Sequence, residues 1–132
     1  MERNNIILTT MTMVCDHNGN ILVQNRLKND WPGINFPGGH VEINESIVES
    51  AIREFKEETN LDIYDLHCSG YYEWNMVSDE YRHLCILFKT DKYSGTIKPS
   101  SEGEIFFINI NDIDKYPQST DFKEVLEVLL NN

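Results

Sequence analysis

The sequence predicts an α/β fold in which a mixed sheet lies between helices. Three observations predict it. Strand-like stretches lie on both sides of a segment with helical periodicity, and a second helical segment closes the chain. The resulting order, β-β-loop-α-β-β-β-α, interleaves the two kinds of element instead of segregating them. At 132 residues the chain falls within the usual size of one domain, and residues 1–132 are read as one, without repeat, low-complexity tract or linker.

Residues 5–15 are rich in Ile, Thr, Met and Val, which suits a strand. Asn18-Gly19 predicts a tight hairpin turn, because both residues tolerate positive φ, and Ile21-Leu22-Val23 returns as a second strand. Residues 31–39 hold two of the four prolines and three of the seven glycines and read as an irregular loop. From Ser46 the period becomes helical. Ile47, Val48, Ala51, Ile52 and Phe55 form the expected buried stripe, Ser46-x-x-Glu49 is a capping box, and Asn60 marks the stop. Residues 67–77 and 81–90 read as strands joined by Ser78-Asp79-Glu80, and 104–110 as another. A last helix is expected to bury Phe122, Val125, Leu126, Leu129 and Leu130, with Asp121-x-x-Glu124 as its capping box.

Twenty-two acidic residues against 11 basic ones give a formal charge of −11. That excess argues against a nucleic-acid polymer as partner, since polymer phosphates are met by a Lys/Arg-rich face. A small anionic substrate remains compatible with it when metal ions intervene. The 40% apolar and 25% charged fractions exclude a wholly disordered chain. Cys15, Cys68 and Cys85 are odd in number and lack C-x-x-C spacing, so they are read as buried thiols in a reducing compartment. No apolar run approaches the roughly 20 residues of a membrane span, and no signal peptide is visible. The expected location is the cytoplasm, with no membrane partner.

The chemistry concentrates in Arg53-Glu54-Phe55-Lys56-Glu57-Glu58. At about 100° per residue, Glu54, Glu57 and Glu58 share an arc of roughly 100°, beside the expected apolar stripe. Like charges at these spacings repel, and Glu57 and Glu58 also sit in the last turn, where the helix dipole disfavours anions. One reading is a solvated acidic face. The other is a site for a positive ion, and hard oxygen donors of this kind suit Mg²⁺ or Mn²⁺. Just upstream, Phe36-Pro37-Gly38-Gly39 puts bare backbone before the helix. It is either an ordinary tight turn or a way of bringing a carbonyl to the same ion.

Taken together, Gly39-x5-Glu45-x7-Arg53-Glu54-Phe55-x-Glu57-Glu58-x-Asn60-Leu61 resembles the Nudix box, G-x5-E-x7-R-E-U-x-E-E-x-G-U, of the MutT-related pyrophosphohydrolases. Every fixed position matches except the last glycine, here Asn60, and the motif covers 23 residues. The resemblance implies an α/β/α sandwich and hydrolysis of a nucleoside diphosphate linked to a further group. It implies Glu54, Glu57 and Glu58 as ligands of Mg²⁺ (or Mn²⁺), with the Gly38 carbonyl as another ligand. Glu54 or a neighbouring glutamate would activate the attacking water, Arg53 would orient the glutamates, and Glu45 would brace the loop. Arg26 matches a position that contacts substrate phosphate in the MutT-like branch, and it reads equally as a surface cation. A later carboxylate, Glu102 first and Glu104 second, would complete the metal site or serve as base.

Trp31, Phe36, Tyr71, Tyr72, Trp74 and Tyr81 are the aromatic candidates for gripping a base, with core packing as the competing role. Residues 114–120 resemble the MutT-like segment that reads a purine, with Thr120 where those enzymes carry Asn. The four histidines, His17, His40, His67 and His83, form no ligand pattern, and His40 is expected in the loop beside the site. The expected function is Mg²⁺-dependent hydrolysis of a nucleoside triphosphate to monophosphate and pyrophosphate, with oxidised or otherwise non-canonical nucleotides among the candidates. The alternatives are an ADP-ribose or other nucleotide-sugar pyrophosphatase and, from a different class, a non-catalytic nucleotide-sensing module.

Overall fold

The computed structural model describes residues 5–26, 32–74, 80–98, 101 and 103–132. In chain order the elements are β1 (Ile6–Val14), β2 (Asn20–Arg26), β3 (Gly33–Asn35), β4 (Gly38–His40), α1 (Ile47–Thr59), β5 (Asp62–Tyr64), β6 (His67–Trp74), β7 (Arg82–Thr90), β8 (Lys92–Ser94) and β9 (Gly103–Asn109). A 3₁₀ turn over Ile110–Lys115 and α2 (Phe122–Asn131) follow. Four strands form a mixed sheet in the order β4-β1-β7-β6, with β1 and β7 parallel. Three more, β3-β2-β9, form an antiparallel sheet, and β5 and β8 make a small pair.

Strand alternation sends neighbouring residues to opposite faces, and each face has its own core. Met13, Ile21, Val23 and Ile108 join Phe122, Val125, Leu126 and Leu129 of α2. Val14, Leu22 and Ile105 join Phe55 of α1. The helices therefore lie on opposite sides, and the expected fold class holds. No helix among the described residues is long and apolar enough to cross a membrane.

Several local expectations need correction. The tight β1–β2 hairpin does not form: the strands meet at a single bridge, Cys15–Ile21, and then part into different sheets. β1 gives its whole length on one edge to β7 and Thr9–Met11 of the other edge to β4, and β2 meets it only past its C-terminal end, at Cys15–Ile21. Of the turn pair only Gly19 takes positive φ (79°), and the Asp16 carboxylate holds the turn by accepting from the Asn18 and Asn20 backbone N–H groups at 2.8 and 3.0 Å. The expected irregular loop contains β3 and β4, whose three residues each are too few to show a period. β5, β8 and the 3₁₀ turn were equally too short to read.

Helix α1 begins and ends as its caps dictate. Ser46 Oγ accepts from the Glu49 N–H at 3.1 Å, and Asn60 is left-handed (φ 68°), with its N–H donating to the Lys56 carbonyl at 2.9 Å. Its buried stripe, however, is rotated from the expected one. Val48 and Ile52 are exposed, whereas Ala51, Phe55, Glu58 and Thr59 are buried. Glu58 thus lies inside the packed face, not beside it. At α2 the expected capping box is absent, because the Asp121 carboxylate accepts from the Tyr72 hydroxyl at 2.9 Å and makes no cap bond. Leu130 is exposed, and so is Cys68, leaving only Cys85 of the three thiols fully buried.

Candidate active site

β4 runs beside β1 with Gly39 opposite Thr10 and Gly38 opposite Met11. Neither glycine has room for a side chain. A Cβ at Gly38 would fall on the Thr10 carbonyl, and one at Gly39 on the Glu54 carboxylate. This close approach brings α1 against the strand. Glu58 Oε2 accepts from the Gly38 N–H at 3.2 Å, tying helix to strand from inside the packed face.

Arg53 organises the acidic groups. Its Nε and Nη2 donate to both Glu45 oxygens at 2.9 and 2.7 Å, a bidentate pair, and Nη2 also donates to the His40 carbonyl at 3.1 Å. Nη1 donates to Glu54 at 3.1 Å and to Glu57 at 3.3 Å. Glu45 in turn accepts from the Glu42 N–H at 2.8 Å. Glu45 therefore braces the loop through Arg53.

The Arg53 hydrogen bonds hold the Glu45 carboxyl at about 2, against an ordinary 4.5. Glu54 is shifted the opposite way, because burial disfavours its charge more than Arg53 favours it. For Glu45 the folded value lies below the unfolded one, so its stabilising effect is complete above about pH 4.5 and is lost as the pH falls through about 2. Glu45→Gln is accordingly expected to lower the urea midpoint by a constant amount near neutrality, with the gap from wild type closing below pH 4.5. Parallel curves down to pH 2 would remove the Arg53–Glu45 clamp from the account.

A cleft of about 550 Å³ opens from this cluster. Gly38, Gly39, Glu54 and Glu58 line one part of it, and Arg26, Gln24, Asn35 and Phe36 another, with Thr9, Met11, Tyr81 and His83 beyond. Among the residues singled out from sequence, Arg26 thus reaches the cleft. Phe36 borders it but is 2% exposed and stacks on Phe122 at 4.9 Å, so most of the ring belongs to the core. Glu57 lies outside the lining, with its side chain 59% exposed and resting on Arg53. Thr120 is also outside the lining; its carbonyl accepts from the Trp74 indole at 3.3 Å. Glu104 is exposed on β9 opposite Asn25. Glu102 and Trp31 lie outside the described residues.

Sequence reading passed over Thr9, Gln24 and Asn35, and named His83 only among histidines without a ligand pattern. His83 Nε2 and Thr9 Oγ1 are 2.9 Å apart, His83 stacks on Trp74 at 4.8 Å, and burial pushes its pKa down. The available signal was a histidine at an inward position of an otherwise apolar alternating strand, in phase with Cys85 and Leu87.

Among the described residues, no three acidic, His or Cys side chains converge as a finished metal cage. The donor chemistry nonetheless fits a hard cation. Glu54 and Glu58 line the cleft beside bare glycine backbone, and Glu54 carries its charge in a partly desolvated setting. In this arrangement Arg53 supplies the positive charge to Glu54 and Glu57.

The family model of the NUDIX domain matches residues 7–129. The chain belongs to the Nudix family. Nudix hydrolases are pyrophosphatases acting on nucleoside diphosphate derivatives, and they generally use divalent metal ions. The chain is 28% identical over 98 residues to the uncharacterised Nudix hydrolase YvcI of Bacillus subtilis (strain 168), a match covering 71% of this chain and 62% of that relative. Its fold resembles that of a MutT Nudix hydrolase from Burkholderia pseudomallei, with a TM-score of 0.84 and 15% identity over 96% of this chain and 99% of that one. It also resembles a MutT protein from Bacillus halodurans (TM-score 0.81, 23% identity, 96% and 83% covered). A third similar structure is a bifunctional NMN adenylyltransferase/ADP ribose pyrophosphatase from Francisella tularensis, complexed with AMP and a manganese ion (TM-score 0.73, 21% identity, 99% and 43% covered). Within the Nudix box, the Asn60 departure keeps the left-handed helix end that the usual glycine would supply.

Proposed function

We propose that this Nudix chain, with residues 1–132 forming one domain, hydrolyses a nucleoside triphosphate to the monophosphate and pyrophosphate in the presence of Mg²⁺ or Mn²⁺. The observation that carries this reading is the opening of the Gly38–Gly39/Glu54/Glu58 cluster into a cleft of about 550 Å³ that also contains Arg26. Such a volume is within the range of small-molecule sites, roughly 300–1,000 Å³, and suits one nucleotide rather than a polymer.

Glu54, Glu57, Glu58, the Gly38 carbonyl and Glu102 are the residues that would hold the metal. When bound, it neutralises phosphate oxygens and lowers the pKa of water. Glu54 takes the proton of the attacking water, a role that suits a carboxylate pushed above its ordinary pKa by burial. Arg53 keeps Glu54 and Glu57 in place, and the Glu45 clamp keeps Arg53 in place. Arg26 brings a cation to the phosphates, and Phe36 offers the edge of its ring to the base. Thr120 reaches the nucleotide only if the 114–120 segment moves toward the cleft.

The test is hydrolysis of a panel of canonical and oxidised nucleoside triphosphates and nucleotide sugars with Mg²⁺ or Mn²⁺. Release of pyrophosphate and a nucleoside monophosphate is expected from a triphosphate. Preferential cleavage of ADP-ribose would move the chain to the nucleotide-sugar reading, which the Francisella similarity keeps in view. Binding without hydrolysis of any nucleotide would replace the enzyme by a nucleotide-sensing module.

A further inference from the structure

Four buried side-chain polar atoms have no hydrogen-bond partner among the described residues: Thr10 Oγ1, Gln24 Nε2, Arg26 Nε and Ser69 Oγ. The residues carrying the first three all line the same cleft. Gln24 is 2% exposed and Thr10 1%. Both sit on interior strands. Gln24 on β2 lies between Asn35 of β3 and Ile105 of β9, and Thr10 on β1 lies between Gly39 of β4 and Ile86 of β7. Neither side chain can therefore lean out over a sheet edge to reach water.

A buried amide left unpaired loses its hydration with no return, so a sequence free to place Leu or Met at position 24 would gain by doing so. Strand alternation puts Leu22, Gln24 and Arg26 on one face of β2. Leu22 belongs to the core against α1, and the row becomes polar only where it enters the cleft. Each of the unpartnered atoms there can donate a hydrogen bond. Gln24 Nε2 has two N–H donors, Arg26 Nε has one, and the Thr10 hydroxyl donates as readily as it accepts. A nucleobase edge interleaves donors with acceptors and would leave part of this set unanswered. A phosphate group presents acceptors alone.

We propose that Gln24 and Thr10 extend the phosphate contact already given to Arg26 into a donor cradle for phosphate oxygens, and that Gln24 is a substrate-positioning residue of this site. The cradle deepens the nucleotide reading of the cleft and rests on it for the identity of the phosphate's owner. Carboxylates on the acidic wall handle phosphate through cations, whereas Gln24 and Thr10 meet it directly, without adding charge.

The test uses the full chain and inorganic tripolyphosphate as the probe, with and without Mg²⁺, compared with an unphosphorylated nucleoside. In Gln24→Met, which keeps the length of the side chain and removes the donor, the tripolyphosphate dissociation constant is expected to rise about tenfold or more. Nucleoside binding should stay unchanged, and the ligand-free thermal midpoint should stay level or rise. Gln24→Asn, which withdraws the donor by one methylene but keeps its polarity, should show the same weakening and decides the matter if the Met variant folds poorly. Equal tripolyphosphate binding by wild type and variants would overturn the cradle. So would failure of wild type to bind the probe, or a weakening of nucleoside and tripolyphosphate alike. Weakened tripolyphosphate binding in a chain that hydrolyses no nucleotide would uphold the cradle and sink the hydrolase reading. Unchanged binding in an active hydrolase would do the reverse.

Discussion

In Glu54→Gln, kcat is expected to fall about 10³-fold, since the two roles proposed for Glu54, holding the metal and moving the water's proton, would together carry several kcal/mol of the barrier reduction. The same substitution is expected to raise the thermal midpoint of the metal-free protein at pH 7. Burial raises the folded pKa of Glu54 above its unfolded value, so the charged carboxylate opposes folding at pH 7 and the opposition fades as the pH drops through the folded pKa. The amide has no charge to desolvate, and its variant should lack that pH-dependent gain. Adding Mg²⁺ should then reverse the order, by raising the wild-type midpoint and leaving the variant nearly still. Calorimetry with and without the metal, beside steady-state kinetics, reads all of this. A variant that turns over normally would remove Glu54 from the chemistry, and one that melts earlier without metal would remove the burial argument.

The two adjacent glycines should respond in opposite ways to alanine. At Gly39 the added methyl meets the end of the flexible Glu54 side chain, which can swing aside. The fold should survive with a near-native midpoint while kcat falls about 10²-fold, the cost of a misplacement of about 1 Å. At Gly38 the methyl meets the Thr10 backbone carbonyl, in the strand paired with β4, and nothing there can yield without parting the pair. Gly38→Ala should lose about 1–3 kcal/mol of stability or more, read by urea unfolding, and lose activity through the fold. An active Gly39→Ala would show that β4 and α1 do not approach this closely in solution, and a Gly38→Ala as stable as wild type would show the same of β4 and β1.

The grouping of those two glycines with Glu45, Arg53, Glu54 and Glu58 was legible in the sequence, because one local segment fixes their spacing; Glu57 of the same segment lies outside the cleft lining. The ends of α1 were legible for the same reason: a serine hydroxyl and a left-handed asparagine act on their immediate neighbours. Tertiary neighbours were not. Nothing near Asn18-Gly19 states that β1 pairs with β7 along its length and with β4 at Thr9–Met11, so the turn looked like a hairpin. Counting apolar residues placed the helix stripe on Val48 and Ile52, whereas the packed face accepts Glu58, whose carboxylate has the Gly38 N–H to bond. The far wall of the cleft was the least visible part. Thr9, Gln24, Asn35 and His83 come from four strands in two sheets, and in sequence each is a polar residue in a run of strand formers. Their meaning depends on which strands face one another across the cleft.

Arg53 divides its nitrogens in a way that reaches beyond holding side chains still. Nε and Nη2 are committed to Glu45 and to the His40 carbonyl, and Nη1 alone serves Glu54 and Glu57. The guanidinium is therefore anchored on one side and on loan on the other. A cation bound as proposed would take over the two borrowed carboxylates while the anchored side continued to fix the loop, so loading would not loosen the scaffold. A lysine has one charged nitrogen and no such partition. Its three donors radiate from one point, so it could not hold both Glu45 oxygens in a fork and at the same time reach Glu54 and Glu57 from a separate nitrogen.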